Sequence, residues 1–89
     1  MVYKIILTER ALKDLSIFGH KVSLQIFAKI EYFESLKNPL SVAKSLKGKY
    51  KGFYRFRIGD YRAIFIIKPD GSIVILEIIT IAHRREIYE

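Results

Sequence analysis

Apolar positions come first as a short run, then at helical spacing, then in runs and alternations of strand type. Val2 to Leu7 is a short apolar segment and predicts a strand. Thr8 is a good helix N-cap, and Glu9 suits the positive end of a helix dipole. Ala11, Leu12, Leu15 and Phe18 make a helical stripe, which Gly19 ends. Val22, Ile26, Ile30 and Phe33 repeat at the same spacing, flanked by Leu24, Phe27 and Leu36. They predict a second helix from about Lys21 to Lys37, stopped by Asn38-Pro39. Two helices joined this closely form an antiparallel hairpin. Its apolar stripe needs a partner, and the apolar face of a sheet is available.

The second half is sheet. Ser41 to Leu46 reads as one helical turn, and Lys47-Gly48-Lys49 as a basic loop leading onward. In Tyr54 to Ile58, aromatic and β-branched residues interleave with arginine, and Tyr61 to Ile67 is another apolar run. Only Gly59 and Asp60 separate them, a two-residue loop with glycine first, which suits a type II′ hairpin turn. That loop places Ile58 opposite Tyr61 and Arg57 opposite Arg62. Because side chains alternate along a strand, Tyr54, Phe56, Ile58, Tyr61, Ala63 and Phe65 share one face. Arg55, Arg57 and Arg62 share the other. Pro69-Asp70-Gly71 is a turn signal. Ile73 to Ile81 is apolar except at Glu77 and Thr80, the pattern of a central strand. The order is β-α-α-β-β-β, an α+β fold. Its last three strands form an antiparallel meander, and the first strand joins at an edge beside the last. The helical hairpin covers one face, leaving the opposite face to the arginines.

Composition narrows the class. Eighty-nine residues, half of them hydrophobic, make one small domain spanning 1–89 with a single core. There is no cysteine, which removes disulfides and thiolate metal sites. His20 and His83 are far apart in sequence and form no metal motif; no metal or cofactor is expected. No apolar run reaches membrane-spanning length, and the N-terminus lacks a signal-peptide layout, so the expected location is the cytoplasm, away from membranes. The formal charge is +7, and its placement is informative. Lys44, Lys47, Lys49, Lys51, Arg55, Arg57 and Arg62 fall in one segment whose single acid is Asp60. Like charges opposite one another on a ladder are destabilising, so three guanidiniums on one sheet face point to an anionic ligand, as on phosphate-binding surfaces.

The element order, together with Leu46-Lys47-Gly48, Tyr54-Arg55-Phe56-Arg57, Gly59-Asp60-Tyr61-Arg62 and His83-Arg84-Arg85-Glu86-Ile87-Tyr88, resembles the RelE/ParE superfamily of small toxins from type II toxin-antitoxin systems. The resemblance covers nearly the whole chain. In the RelE branch it implies a ribosome-dependent endoribonuclease that cuts mRNA in the A site. Such an enzyme contacts mRNA and rRNA, inhibits translation, and is held inactive by a RelB-like antitoxin. In the ParE branch it implies inhibition of DNA gyrase without nuclease chemistry. A member acting only as a binding protein or operator corepressor is a third form. For a RelE-type enzyme, the resemblance carries the active site onto Arg55 and Arg57, Arg62, and Arg84 and Tyr88, with Lys44, Lys47, Lys49 and Lys51 as RNA- or ribosome-binding cations.

The cleavage implied is metal-independent. The ribose 2′-OH attacks the adjacent phosphate and leaves a 2′,3′-cyclic phosphate. Such a reaction needs a base for the 2′-OH proton, cations for the dianionic phosphorane and an acid for the leaving 5′-oxygen. Bidentate arginines suit the second task. The first is harder: lysines stand in the RelE pattern where this chain has Arg55 and Arg57, and arginine does not release its proton. His83 is the one nearby side chain whose ordinary pKa suits a base. Arg85 reads as a solvated neighbour of the site. A basic domain of this kind also predicts a partner that masks it with an acidic or amphipathic segment.

Overall fold

The computed structural model describes residues 2–86. Strand β1 (Val2–Leu7) leads into helices α1 (Glu9–Phe18) and α2 (His20–Ser35). A 3-10 turn at Pro39–Val42, a short strand β2 (Ala43–Ser45) and a second 3-10 turn at Gly48–Tyr50 follow. The chain then makes β3 (Tyr54–Ile58), β4 (Tyr61–Asp70), β5 (Ile73–His83) and a last 3-10 turn at Arg84–Glu86. The strands form one open, mixed sheet in the order β1-β5-β4-β3-β2. β1 runs parallel to β5, and the other pairs are antiparallel. The meander and the first strand beside the last are as the sequence predicts.

Three local expectations change. The helical turn expected over Ser41 to Leu46 is instead a 3-10 turn ending at Val42, followed by edge strand β2. Asn38 starts this turn early, its side chain accepting a hydrogen bond from Leu40 N at 3.1 Å. The turn predicted at Pro69-Asp70-Gly71 lies later, because Asp70 still pairs with Ile73 and Gly71 bends with φ 64°. Pro69 is tolerated inside β4 because β3 has already ended, so its missing N–H falls on an open edge. Helix α2 starts at His20 and ends at Ser35, and its flanking residues Leu24 and Phe27 are exposed.

The core lies between the helices and one face of the sheet. Phe56 and Phe65 are fully buried, with ring centroids 4.4 Å apart, and Phe33 of α2 stacks on Phe56 at 4.6 Å. Burying each such ring stabilises the fold by about 1.5–3 kcal/mol. Ile26, Ile30, Leu76, Ile78 and Ile81 complete the layer. Ile78 and Ile81 both face the core because β5 bulges. Ile64 pairs with Thr80 and Phe65 with Ile78, leaving Ile79 unopposed. Helix α1 secures that bulge. Thr8 Oγ1 donates to the Ile79 carbonyl at 2.9 Å, and Asp14 Oδ2 accepts from Thr80 Oγ1 at 2.7 Å and Ile81 N at 2.9 Å.

Candidate functional site

The hairpin joining β3 and β4 sets the geometry of the basic face. Gly59 has φ 60°, and among the described residues none other than glycine has positive φ, so the loop is a type II′ turn with glycine at its first central position. Ile58 therefore opposes Tyr61, and Arg57 opposes Arg62. On the core side, Tyr54, Phe56, Ile58, Tyr61, Ala63 and Phe65 pack toward the helices. Arg55, Arg57 and Arg62 take the other face by alternation. The strand that sequence reasoning missed adds a fourth cation: Lys44 on β2 pairs with Arg55 and shares its face. Two rows result, Lys44–Arg55–Ile64–Thr80 and Arg57–Arg62–Ala82.

The exposures of these cations differ. Lys44 and Arg57 are exposed, whereas Arg55 and Arg62 are half-buried. Arg55 Nε, Arg62 Nε and Arg62 Nη1 are shielded from solvent. The face is thus not the bare surface the sequence suggests. Leu46 and Ile64 are buried outside the main core, on the arginine side. Leu46 N donates to the Phe53 carbonyl at 2.9 Å, closing residues 46–53 into a loop. Leu46 and Phe53 have the same strand parity as Lys44 and Arg55, so they also lie on this side and need cover. Lys47, Lys49 and Lys51 are exposed on this loop, with Lys49 Nζ 5.3 Å from the Tyr50 ring centroid.

The end of β5 is clipped to the hairpin tip. Arg84 N donates to the Asp60 carbonyl at 2.8 Å, and Arg84 Nε lies 3.7 Å from Asp60 Oδ1, both side chains being largely exposed. His83 is not brought to the arginines. It pairs with Tyr61, whose ring packs on Phe18 at 4.6 Å, and its own ring meets Tyr61 edge-on at 5.4 Å. The β5 bulge sets that parity, sending Thr80 and Ala82 to the arginine face and Ile81 and His83 to the helix side. His83 Nδ1 accepts from Arg85 N at 3.2 Å, so the expectation of His83 as base beside the phosphate does not fit its place. Arg85 is exposed beyond it. Tyr88 lies outside the described residues.

Sequence reasoning also missed Arg10. Helix α1, tied to β5 through Thr8 and Asp14, carries it to a pocket on the arginine face with Leu46, Tyr50, Phe53 and Ile64. No local pattern announces this, since it depends on where α1 crosses the end of β5. Chemically, the face offers several guanidiniums in fixed rows, a geometry that holds phosphate bidentately.

A small α+β domain with a helical hairpin on one sheet face and a basic opposite face fits a class of compact bacterial and archaeal toxins. The chain belongs to the ParE toxin family of type II toxin-antitoxin systems, whose model matches residues 5–88. Solved structures agree in fold. The RelBE2 toxin-antitoxin complex from Mycobacterium tuberculosis is similar with a TM-score of 0.72 and 23% identity, over 94% of this chain and 100% of that one. The RelB-RelE complex from Methanococcus jannaschii gives 0.59 and 28%, over 94% and 95%. A YoeB/ParE toxin from Agrobacterium tumefaciens gives 0.61 and 21%, over 90% and 97%. Comparison with curated proteins finds no match.

Proposed function

We propose that this toxin cuts mRNA on the ribosome, with Arg55, Arg57 and Arg62 holding the scissile phosphate. The observation that carries the reading is the Arg57–Arg62 pair, like charges directly opposite on a ladder and flanked by Lys44 and Arg55. Such an arrangement opposes folding and is relieved by a bound dianion. The 2′-oxygen forms a bond to phosphorus as the P–O5′ bond breaks. The 2′-OH proton is lost, and the leaving 5′-oxygen gains one. The guanidiniums stabilise the phosphorane between these events. Arg84, clipped to Asp60 at the hairpin tip, approaches from the end of β5, and Tyr88 stacks on or orients the substrate. With His83 on the helix side, the side chains of this face act by charge stabilisation, and the 2′-OH proton passes to a group outside the arginine cluster. Lys47, Lys49 and Lys51 meet the rRNA or mRNA backbone. The setting is the cytoplasm, and a RelB-like antitoxin covers the basic face with acidic residues.

A second reading, inhibition of gyrase without chemistry, draws on the ParE name of the matching family. Primer extension on translated mRNA after expression separates the two. Cuts in phase with codons support the nuclease. Intact mRNA with blocked replication refutes it in favour of gyrase.

A further inference from the structure

We propose that Asp60, the one acid between Lys44 and Arg62, is a positioning residue that holds Arg84 ready for the scissile phosphate. This rests on the ribonuclease reading above. The placement follows from the strand register. The β4–β5 ladder pairs Arg62 with Ala82 and Tyr61 with His83. The bond from Arg84 N to the Asp60 carbonyl, at 2.8 Å, carries it one pair further. Side chains alternate between faces. Tyr61 and His83 therefore turn to the helices, while Asp60 and Arg84 return to the arginine side. They lie two residues along from the Arg62–Ala82 pair, a distance of about 7 Å.

A carboxylate there works against phosphate binding on its own, because it repels the anion that Arg57 and Arg62 attract. The turn does not require it, since asparagine suits such a position as well as aspartate. Stability gives little reason either. Exposed ion pairs contribute little, and Asp60 and Arg84 are both largely exposed. What the carboxylate does meet is Arg84, with Oδ1 3.7 Å from Nε. It approaches from the Nε side, so the Nη1–Nη2 edge is the one offered to a phosphate in bidentate fashion. Arg84 opens the three-residue 3-10 turn at the exit of β5. The backbone of that exit is fixed at two points, by Arg84 N on Asp60 and by Arg85 N on His83 Nδ1 at 3.2 Å. The Asp60 carboxylate extends that fixation to the guanidinium, a long side chain that otherwise samples many rotamers. A group oriented before the substrate arrives reacts faster than one that must be ordered afterwards.

The test is single-turnover cleavage of mRNA on programmed ribosomes at rising toxin concentration, for wild type, Asp60→Asn, Arg84→Ala and the double variant. Each gives a limiting rate and a half-saturating concentration, and thermal melts check the fold. Asparagine keeps the turn and the backbone bond and removes only the charge. The expected limiting rate for Asp60→Asn is about tenfold lower than wild type. Its half-saturating concentration is unchanged or reduced, because a repulsive charge has gone. In the Arg84→Ala background the same substitution leaves the limiting rate where it was, since no guanidinium remains to be held. A limiting rate for Asp60→Asn at or above wild type overturns the proposal and leaves the nuclease reading standing. A loss of equal size with and without Arg84 shows that Asp60 acts by itself, and overturns it too. So does a melting temperature lowered by several degrees, which puts the effect in the turn. A raised half-saturating concentration with the limiting rate intact makes Asp60 a ribosome contact and also overturns it. Absence of any cutting by wild type defeats the nuclease reading itself and the proposal with it.

Discussion

Replacing Arg57 with threonine should stabilise this protein and disarm it in the same step. Arg57 is exposed and directly opposite Arg62 on the β3–β4 ladder. Two unit charges roughly 6 Å apart in water repel by about 0.7 kcal/mol, which falls within the 0.2–1 kcal/mol typical of cross-strand pairs. Threonine adds a small favourable strand preference. The net gain is about 0.5–1 kcal/mol, which for a domain of this size raises the melting temperature by about 2–8 °C. Cleavage should meanwhile fall by about 100–1000-fold, as on loss of one preorganised donor to a transition-state anion.

The assay is a pair of thermal melts at low and high salt, with cut-site mapping on translated mRNA. At 1 M salt the screening length is about 3 Å, so the stability difference should shrink toward the propensity term alone. Two results would refute the reasoning. A lower melting temperature for Arg57→Thr would mean that Arg57 is held by favourable contacts and the ladder is not under repulsion. A gain in stability unchanged by salt would mean that charge is not its source.

Three further changes test separate parts of the structure. Arg84→Ala should reduce cleavage by about 100–1000-fold with little change in melting temperature, since its exposed contact with Asp60 is worth under about 1 kcal/mol; Arg85→Ala should behave as wild type, and the reverse pattern would misplace the C-terminal end of the site. Gly59→Ala should destabilise by about 1–2 kcal/mol through backbone strain alone, because its φ is 60° and open space surrounds the added methyl; an unchanged urea midpoint would contradict the turn assignment. Glu34→Ala should cost about 1–2 kcal/mol, since Glu34 Oε2 accepts from Ile5 N at 2.7 Å on the outer edge of β1, and should promote self-association through that edge; a variant that sediments unchanged and melts like wild type would show the cap to be incidental.

The hairpin was legible because a two-residue loop fixes register by counting, and register fixes faces. From Gly59-Asp60 alone the pairing of Arg57 with Arg62 follows, as does the burial of Phe56 and Phe65. The first strand and both helices were legible from their apolar period and from Thr8 and Gly19. Edge strand β2 was not, because three residues of Ala-Lys-Ser carry no alternation to detect. Its loss hid the partnership of Lys44 with Arg55. The place of His83 was also hidden. Counting alternation back along the last strand fails at Ile79, where the bulge adds a residue and exchanges the faces. Nothing local in Ile78-Ile79-Thr80-Ile81 marks that bulge. It is held from outside, by Thr8 at the cap and Asp14 within a helix, through contacts spanning 66 to 71 residues of sequence.

That bulge links stability to the site. Without the extra residue, Ile78 and Ile81 would lie on opposite faces, and one of them would leave the core. With it, the core keeps both, while Thr80 and Ala82 pass to the arginine side and Ala82 comes opposite Arg62. Asp14 is therefore not only a surface acid on α1. By accepting from Thr80 and Ile81 it holds the one register in which the core is complete and Ala82 lies opposite Arg62. The aromatic stack of Phe33, Phe56 and Phe65 lies on the other side of the same strands. Three buried rings there contribute several kcal/mol, more than the repulsion of about 1 kcal/mol on the arginine ladder. The fold can thus carry a face set against itself, because the strands that display the guanidiniums are anchored by the rings behind them.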